Sequence, residues 1–352
     1  MEILHKKVSI KIIKYVNTIQ IEKYADNNIM DNQNIISLMS NNTQNNKTHK
    51  YFIHCDDSII KSIKVEELVK NTDGIQVVKA IIENPEFHNK KIVVKMGQDN
   101  VLIEKEYSVS NILFDNGITG FVKFMCIFSC YDNTSESINS RKICTSTPQT
   151  GYHKKVIIMP YFEEQSILQR NWSESNAPLL KGLIIQTIMI LFNAFDKIGF
   201  IHGDLHFGNV MIKTTTKESV RFELFGHTFE QDTYGYEPVL IDFDNSIIHK
   251  NKEKYYSMFW MNMSSLISRM LYEFTNKNSE TRVIVDVSGP SHMLSMYAHT
   301  STPVNLQSFL SIYQWCLISM QFMFSSNNSA KSYTYDPNVY GGKKTRKHRK
   351  NQ

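Results

Sequence analysis

A chain of 352 residues with 41% hydrophobic and 11% aromatic side chains can bury a sizeable core, which excludes a disordered polymer. The net charge of +5 sits at one end: Lys343, Lys344, Arg346, Lys347, Arg349 and Lys350 supply six positive charges, and without them 33 basic residues face 34 acidic ones. A nucleic-acid-binding body is therefore not indicated. Only the basic tail 343–350 is left to contact nucleic acid or an acidic partner, and a solvated end is the plainer reading.

Residues 1–70 read as an N-terminal extension, partly low-complexity, with one or two helices, because NNTQNNKTHK is too polar to pack. From 75 to 130 the texture is strand-like: IQVVKAII, then KKIVVKMG, then GFVKFMCIF, with VLIEKEYSVSNIL as a helix between strands. A polar loop spans 131–150, and KKVIIMPYF resumes as a buried strand. The expectation is a small antiparallel sheet with one helix.

Cys126 and Cys130 would share one face of a strand, as buried thiols rather than a metal clip. With Cys55, Cys144 and Cys316 they make an odd count with no CxxC pair, and no secretory leader is read at the start, so the expected location is a reducing compartment such as cytoplasm. After Tyr161 the period changes. Asn176 and Pro178 start a helix, Leu179 to Phe195 form its body, and Gly199 is a left-handed stop. Lys181, Gln186, Asn193, Asp196 and Lys197 within this stretch favour a buried helix over a membrane span. Two strand-like runs follow, and from Tyr255 the chain reads mainly helical, with Pro303 opening a helix to about Phe324. The divisions are 1–70 extension, 71–162, 163–340 and a basic tail 341–352.

FIHGDLHFGNVMIK, residues 200 to 213, sets His202, Asp204, His206 and Asn209 between apolar flanks, where burial is costly without partners. Asp204 and Asn209 stand in a turn past the buried helix, and Asp242 ends the apolar strand VLIDFD. Carboxylates and an amide oxygen are hard ligands suited to Mg²⁺, with a phosphate completing the shell. A zinc site on His202 and His206 is the other reading, although no Cys or third His lies close in sequence.

HGDLHFGN resembles the HGDLHxxN catalytic loop of the protein-kinase-like superfamily, in the form found in aminoglycoside, choline and ubiquinone-biosynthesis kinases and in kinase-like proteins of large DNA viruses. Ordinary protein kinases read HRDLxxxN there and DFG where this chain has DFD. The resemblance implies an α+β, bilobed fold, with a small antiparallel β N-lobe (71–162, including the hinge) carrying one helix and a larger, mainly α C-lobe (163–340). It implies ATP and Mg²⁺ as cofactors, Asp204 as catalytic base, Asn209 and Asp242 as metal ligands, and His202 as the brace of the loop. His206 stands where Ser/Thr kinases carry a phosphate-contacting lysine. Lys95 is the expected ATP-gripping lysine with Lys91 as the alternative, and Glu106 its partner with Glu104 as the competitor. Met159 would be the gatekeeper, with the Pro160 carbonyl and the Phe162 N–H facing adenine.

Departures from the pattern narrow the expectation. A single Gly74 stands where the family has two or three phosphate-loop glycines, so backbone amides would approach phosphate less closely. Gly203 replaces an arginine that pairs with phosphorylated activation loops, and the segment after Asp242 is short, so no activation-loop switch is expected. Asn262 stands loosely where the family offers a buried aspartate to the loop. His249, Lys250, Lys252 and Lys254 form a basic run that would suit an acidic acceptor, or a solvated loop.

The Asn-, Ile- and Lys-rich composition and the GGKKTRKHRK end resemble proteins of giant DNA viruses, which places the expected location in host cytoplasm or a virion. The leading expectation is an atypical serine/threonine protein kinase of viral type with an unspecified acceptor. The alternatives are a small-molecule kinase, a catalytically lapsed pseudokinase acting as a binding module, and a structural virion component.

Overall fold

A computed structural model describes residues 57–72, 74–83, 89–98, 100–132, 143, 152–273, 281–285, 288–320 and 322–326. The expected extension up to residue 56, most of the polar loop 131–150 and the basic tail lie outside them. The fold is α+β.

A short helix, α1 (Asp57–Ser62), leads into an antiparallel five-stranded sheet. Its strands are β1 (Ile63–Thr72), β2 (Ile75–Ile82), β3 (Lys90–Gly97), β4 (Cys126–Asp132) and β5 (Tyr152–Pro160), in the order β1-β2-β3-β5-β4. Helix α2 (Asn100–Asp115) connects β3 to β4. Strand alternation sorts the side chains: Val78, Ala80, Ile82, Ile92, Val94, Met96, Val156 and Ile158 form one buried cluster, whereas Ile157 and Met159 join the larger core on the opposite face. Each of the valine, isoleucine and methionine side chains among them contributes about 1.5–3 kcal/mol by leaving water.

The sheet begins earlier than the sequence pattern indicated, because β1 lies across the boundary drawn at 70. Residues Glu66 to Lys70 are exposed on an edge strand, and register shifts at Val65/Glu67 and Leu68/Lys70 break the two-residue period that would have marked it. A second correction concerns GFVKFMCIF. Only its end is strand, because the backbone from Gly120 to Val122 bonds with Leu240 instead of the sheet. The cysteines differ as well. Cys126 and Cys130 are disulfide-bonded rather than free thiols. Cys316 is free and buried.

Beyond the sheet the fold is built around α3 (Ala177–Ile198), with Asn176 at its N-cap, Pro178 in its first turn and Gly199 closing it in the left-handed region at φ 67°. By length and composition this segment could cross a membrane, and 89% of its apolar window is buried inside the protein. Phe192 at its centre meets Phe225, Phe259, Trp260 and Phe309 edge-on.

Strand β6 (Phe200–Ile201) follows, then β7 (Val210–Thr214), the hairpin β8 (Ser219–Leu224) and β9 (His227–Asp232), β10 (Tyr236–Leu240) and β11 (Ile247–Ile248). β7 pairs with β10 and β6 with β11, so the residues after β6 and those after β10 come to lie side by side. Helix α4 (Tyr256–Glu273), β12 (Thr281–Val285), α5 (Ser288–Thr300), α6 (Leu306–Gln314) and β13 (Phe322–Ser326) complete the described chain.

The helix expected from Pro303 to Phe324 is corrected to α6. Asn305, not Pro303, starts it, accepting from the Ser308 N–H while Ser308 Oγ accepts from the Asn305 N–H. After one π-helical turn (Trp315–Ser319) the chain turns extended at Met320 and pairs as β13 with β12. That pairing is long-range, and no local pattern announces it.

Candidate active site

The polar loop is held by its glycines and its histidine. Gly199 ends α3 where a Cβ would stand 2.0 Å from the His249 carbonyl oxygen. Gly203 has φ 83°, and a Cβ there would stand 2.0 Å from the Asn245 carbonyl oxygen, so the turn has no room for a side chain at this position. The Gly203 N–H donates to Asn262 Oδ1 on α4 at 3.1 Å. His202 is buried and its Nε2 lies 2.9 Å from the Ile241 carbonyl, which makes Nε2 the donor. Burial holds this imidazole below its ordinary pKa, against the pull of the Ile241 carbonyl, Asp242 and Asp204. Its ring also meets Phe243 edge-on, so it ties the loop to the DFD turn.

Asn209 is buried at the end of a 3₁₀ turn, where its Nδ2 donates to the Asp204 carbonyl at 3.0 Å and its own carbonyl accepts from the Ile241 N–H. Asp204 is 42% exposed, with Oδ1 3.9 Å from Arg269 Nη1 on α4. His206 caps the same turn through Nδ1, which accepts from the Gly208 N–H at 3.1 Å.

The second half of the site comes from the sheet. Lys95 on β3 lies 2.7 Å from Glu106 Oε2 on α2 and 2.6 Å from Asp242 Oδ1. Glu106 also accepts the Phe243 N–H through Oε1 at 3.3 Å, so one carboxylate ties α2 to both β3 and the DFD turn. The alternatives are spoken for elsewhere: Lys91 pairs with Glu163, and Glu104 pairs with Lys155. Met159 is paired with Val93 and lies on the sheet face of Lys95, with Pro160 and Phe162 following at the end of β5. Gly74 has φ 81° in the β1–β2 turn with open space around it, so backbone conformation rather than crowding calls for glycine.

The electrostatics follow from this geometry. Burial works against the charge of Lys95, but Glu106 and Asp242 outweigh it and hold the ammonium above its ordinary pKa. Glu106 is pushed up to about 7 by burial, with Lys95 pulling it down and Asp242 adding to the rise. Asp242 stays below its ordinary value, because Lys95 overcomes the cost of burial. It also holds φ 70°, a left-handed conformation that costs a non-glycine residue about 1–2 kcal/mol. Such strain is characteristic of functional sites.

No family model matches the chain. It is 31% identical over 85 residues to an uncharacterized protein of Caenorhabditis elegans, covering 24% of this chain and 29% of that protein. Over 123 residues it is 28% identical to the serine/threonine-protein kinase haspin of Mus musculus, covering 34% of this chain and 16% of haspin. The chain bears a distant, partial likeness to a protein kinase. Both matches span less than a third of the relative's own length.

Two groups at the site escaped the sequence reading. Asp244 is pushed above its ordinary pKa by burial and then by Asp242, and it adds a third carboxylate to those of Asp204 and Asp242. Its signal was present, as the last letter of DFD. Arg269 had none, because only the packing of α4 brings it to Asp204.

Two members of the basic run, Lys252 and His249, have partners within the protein. Lys252 bonds the Asp196 carbonyl and pairs with its carboxylate, and His249 packs on the Tyr255 ring. Among the described residues no group of three or more His, Cys, Asp or Glu side chains is placed to hold a metal, which leaves the zinc reading on His202 and His206 without support. A cavity of about 400 Å³ near Thr215, Asp232 and Tyr234 includes none of the candidate residues.

Proposed function

We propose that this protein is an ATP- and Mg²⁺-dependent phosphotransferase with the bilobed kinase-like fold, acting as an atypical serine/threonine protein kinase of viral type. The observation that carries the reading is the buried ion-pair cluster of Lys95, Glu106 and Asp242. It ties two consecutive elements, β3 and α2, to the DFD turn 147 residues beyond Lys95, at a cost that structural stability alone does not require, since apolar residues would fill the same space at least as well. The donor chemistry fits the cofactor: Asp242, with its depressed pKa, and Asn209 offer hard oxygen donors beside a concentration of negative charge.

Magnesium bound there would neutralise phosphate charge. Lys95, oriented by Glu106, would hold the phosphates, and Asp204 would accept and orient the acceptor hydroxyl. Met159, Pro160 and Phe162 would receive the adenine. His202 keeps the loop in register without entering the chemistry.

A small-molecule acceptor is the second reading, favoured by one observation. Only the two-residue β11 and a 3₁₀ turn (Lys252–Tyr255) separate the DFD turn from α4, which leaves little chain for a peptide platform. The single Gly74 speaks for the lapsed, binding-only alternative.

Saturating MgATP is expected to raise the melting temperature of the wild-type chain by several degrees, corresponding to roughly 3 kcal/mol at a hundredfold excess over Kd. Asp242→Asn is expected to lose most of that shift. A wild-type melting temperature that MgATP leaves unmoved contradicts the reading.

A further inference from the structure

The turn that should grip phosphate has one glycine, yet the strand before it carries a feature that serves the same end. Along β1 the ladder sets Leu68 opposite Val78 and then Lys70 opposite Val77, leaving Val69 as an extra, exposed residue. In an unbroken ladder Val69 would face Val77, and Lys70 would stand opposite Gln76 on the buried face. The bulge therefore turns Lys70 to the other side of the sheet.

Val77 in turn is paired with Lys95, and Lys95 with Ile157. Lys70 and Lys95 thus share one face, separated by two strand spacings, about 10 Å between backbones, a gap that two lysine side chains can span from either side of a phosphate chain. Lys70 is exposed, and among the described residues it forms no ion pair.

We propose that Lys70 is a phosphate-binding residue, aimed by the β1 bulge at the phosphate chain of the nucleotide and standing in for the backbone amides that the glycine-poor turn does not bring close. The inference rests on the nucleotide reading of the Lys95–Asp242 site and names a contact within it. A lysine acts there as a point charge, so the contact tracks the number of phosphates rather than the base.

The test is a titration of the full chain with the magnesium complexes of ATP and ADP and with AMP, for wild type, Lys70→Met, Lys70→Arg and Lys64→Met. Lys64 lies at the far end of β1 in an exposed pair with Glu83 and controls for loss of one positive charge. Lys70→Met is expected to weaken MgATP about tenfold, and AMP by less than twofold, while Lys70→Arg and Lys64→Met stay close to wild type. MgATP affinity in Lys70→Met within twofold of wild type overturns the inference, as does an equal loss for ATP and AMP. A wild-type chain that binds no MgATP overturns the nucleotide reading itself, an outcome distinct from the other two.

Discussion

At Lys95 one ammonium serves two carboxylates in a setting from which water is nearly absent, with side-chain exposure of 8% for the lysine and 1% for Glu106. Removing the cation leaves the buried Glu106 facing the partly exposed Asp242 with no positive charge between them. Lys95→Met is expected to destabilise the fold by roughly 3–5 kcal/mol, and Lys95→Met with Glu106→Gln to recover part of that loss, as measured by denaturant unfolding. His202 gives a second prediction at this scale. Its folded pKa is depressed, so as pH falls the unfolded chain takes up the proton first, and stability is lost from the unfolded pKa of about 6.5 down to the folded value. His202→Gln retains a donor for the Ile241 carbonyl and removes the titration. The stability advantage of wild type over this variant is expected to shrink between pH 7.5 and 5.5, and a gap independent of pH would contradict the account.

Much of the site was legible at this scale because its residues cluster in two short stretches, HGDLHFGN and DFD, where chemistry and spacing coincide. Lys95 could be chosen from its strand texture. The choice of Glu106 over Glu104 needed the helix face, since both stand on α2 and only one turns inward. Lys70 and Arg269 were not legible: a bulge aims the first and a helix crossing brings the second, and neither leaves a mark in the local sequence.

At the scale of elements, the loop is positioned by what packs beneath it. Asn262 on α4 is buried and accepts the Gly203 N–H, so the helix sets the height of the turn that carries Asp204. Asn262→Leu strands that donor and is expected to cost about 1–3 kcal/mol and to lower any turnover further than Asn262→Asp, which keeps an acceptor oxygen. Equal stability of the two variants would argue against this support. The long buried helix and the central strands were legible from their periodicity and caps. The edge strand β1 and the β12–β13 pair were not, because register shifts obscure the one and only long-range pairing defines the other.

Across the whole molecule, the sheet face that carries Lys95 is continuous with the core built on α3, since Ile157 and Met159 belong to the same buried cluster as Leu183 and Phe192. The ion-pair cluster and the polar loop therefore meet over one packed base, with Asp242 reached from the sheet through Lys95 and from the loop through the His202 bond to Ile241. Such a base suits a site that must hold its groups in place rather than gather them on demand. The central claim is that this base supports phosphoryl transfer. The most direct measurement follows label from the γ-phosphate of MgATP into protein acceptors and water, for wild type, Asp204→Ala and Asp242→Ala. The account predicts transfer by wild type and a loss of at least about a hundredfold in each variant; wild-type transfer no greater than that of the variants would contradict it.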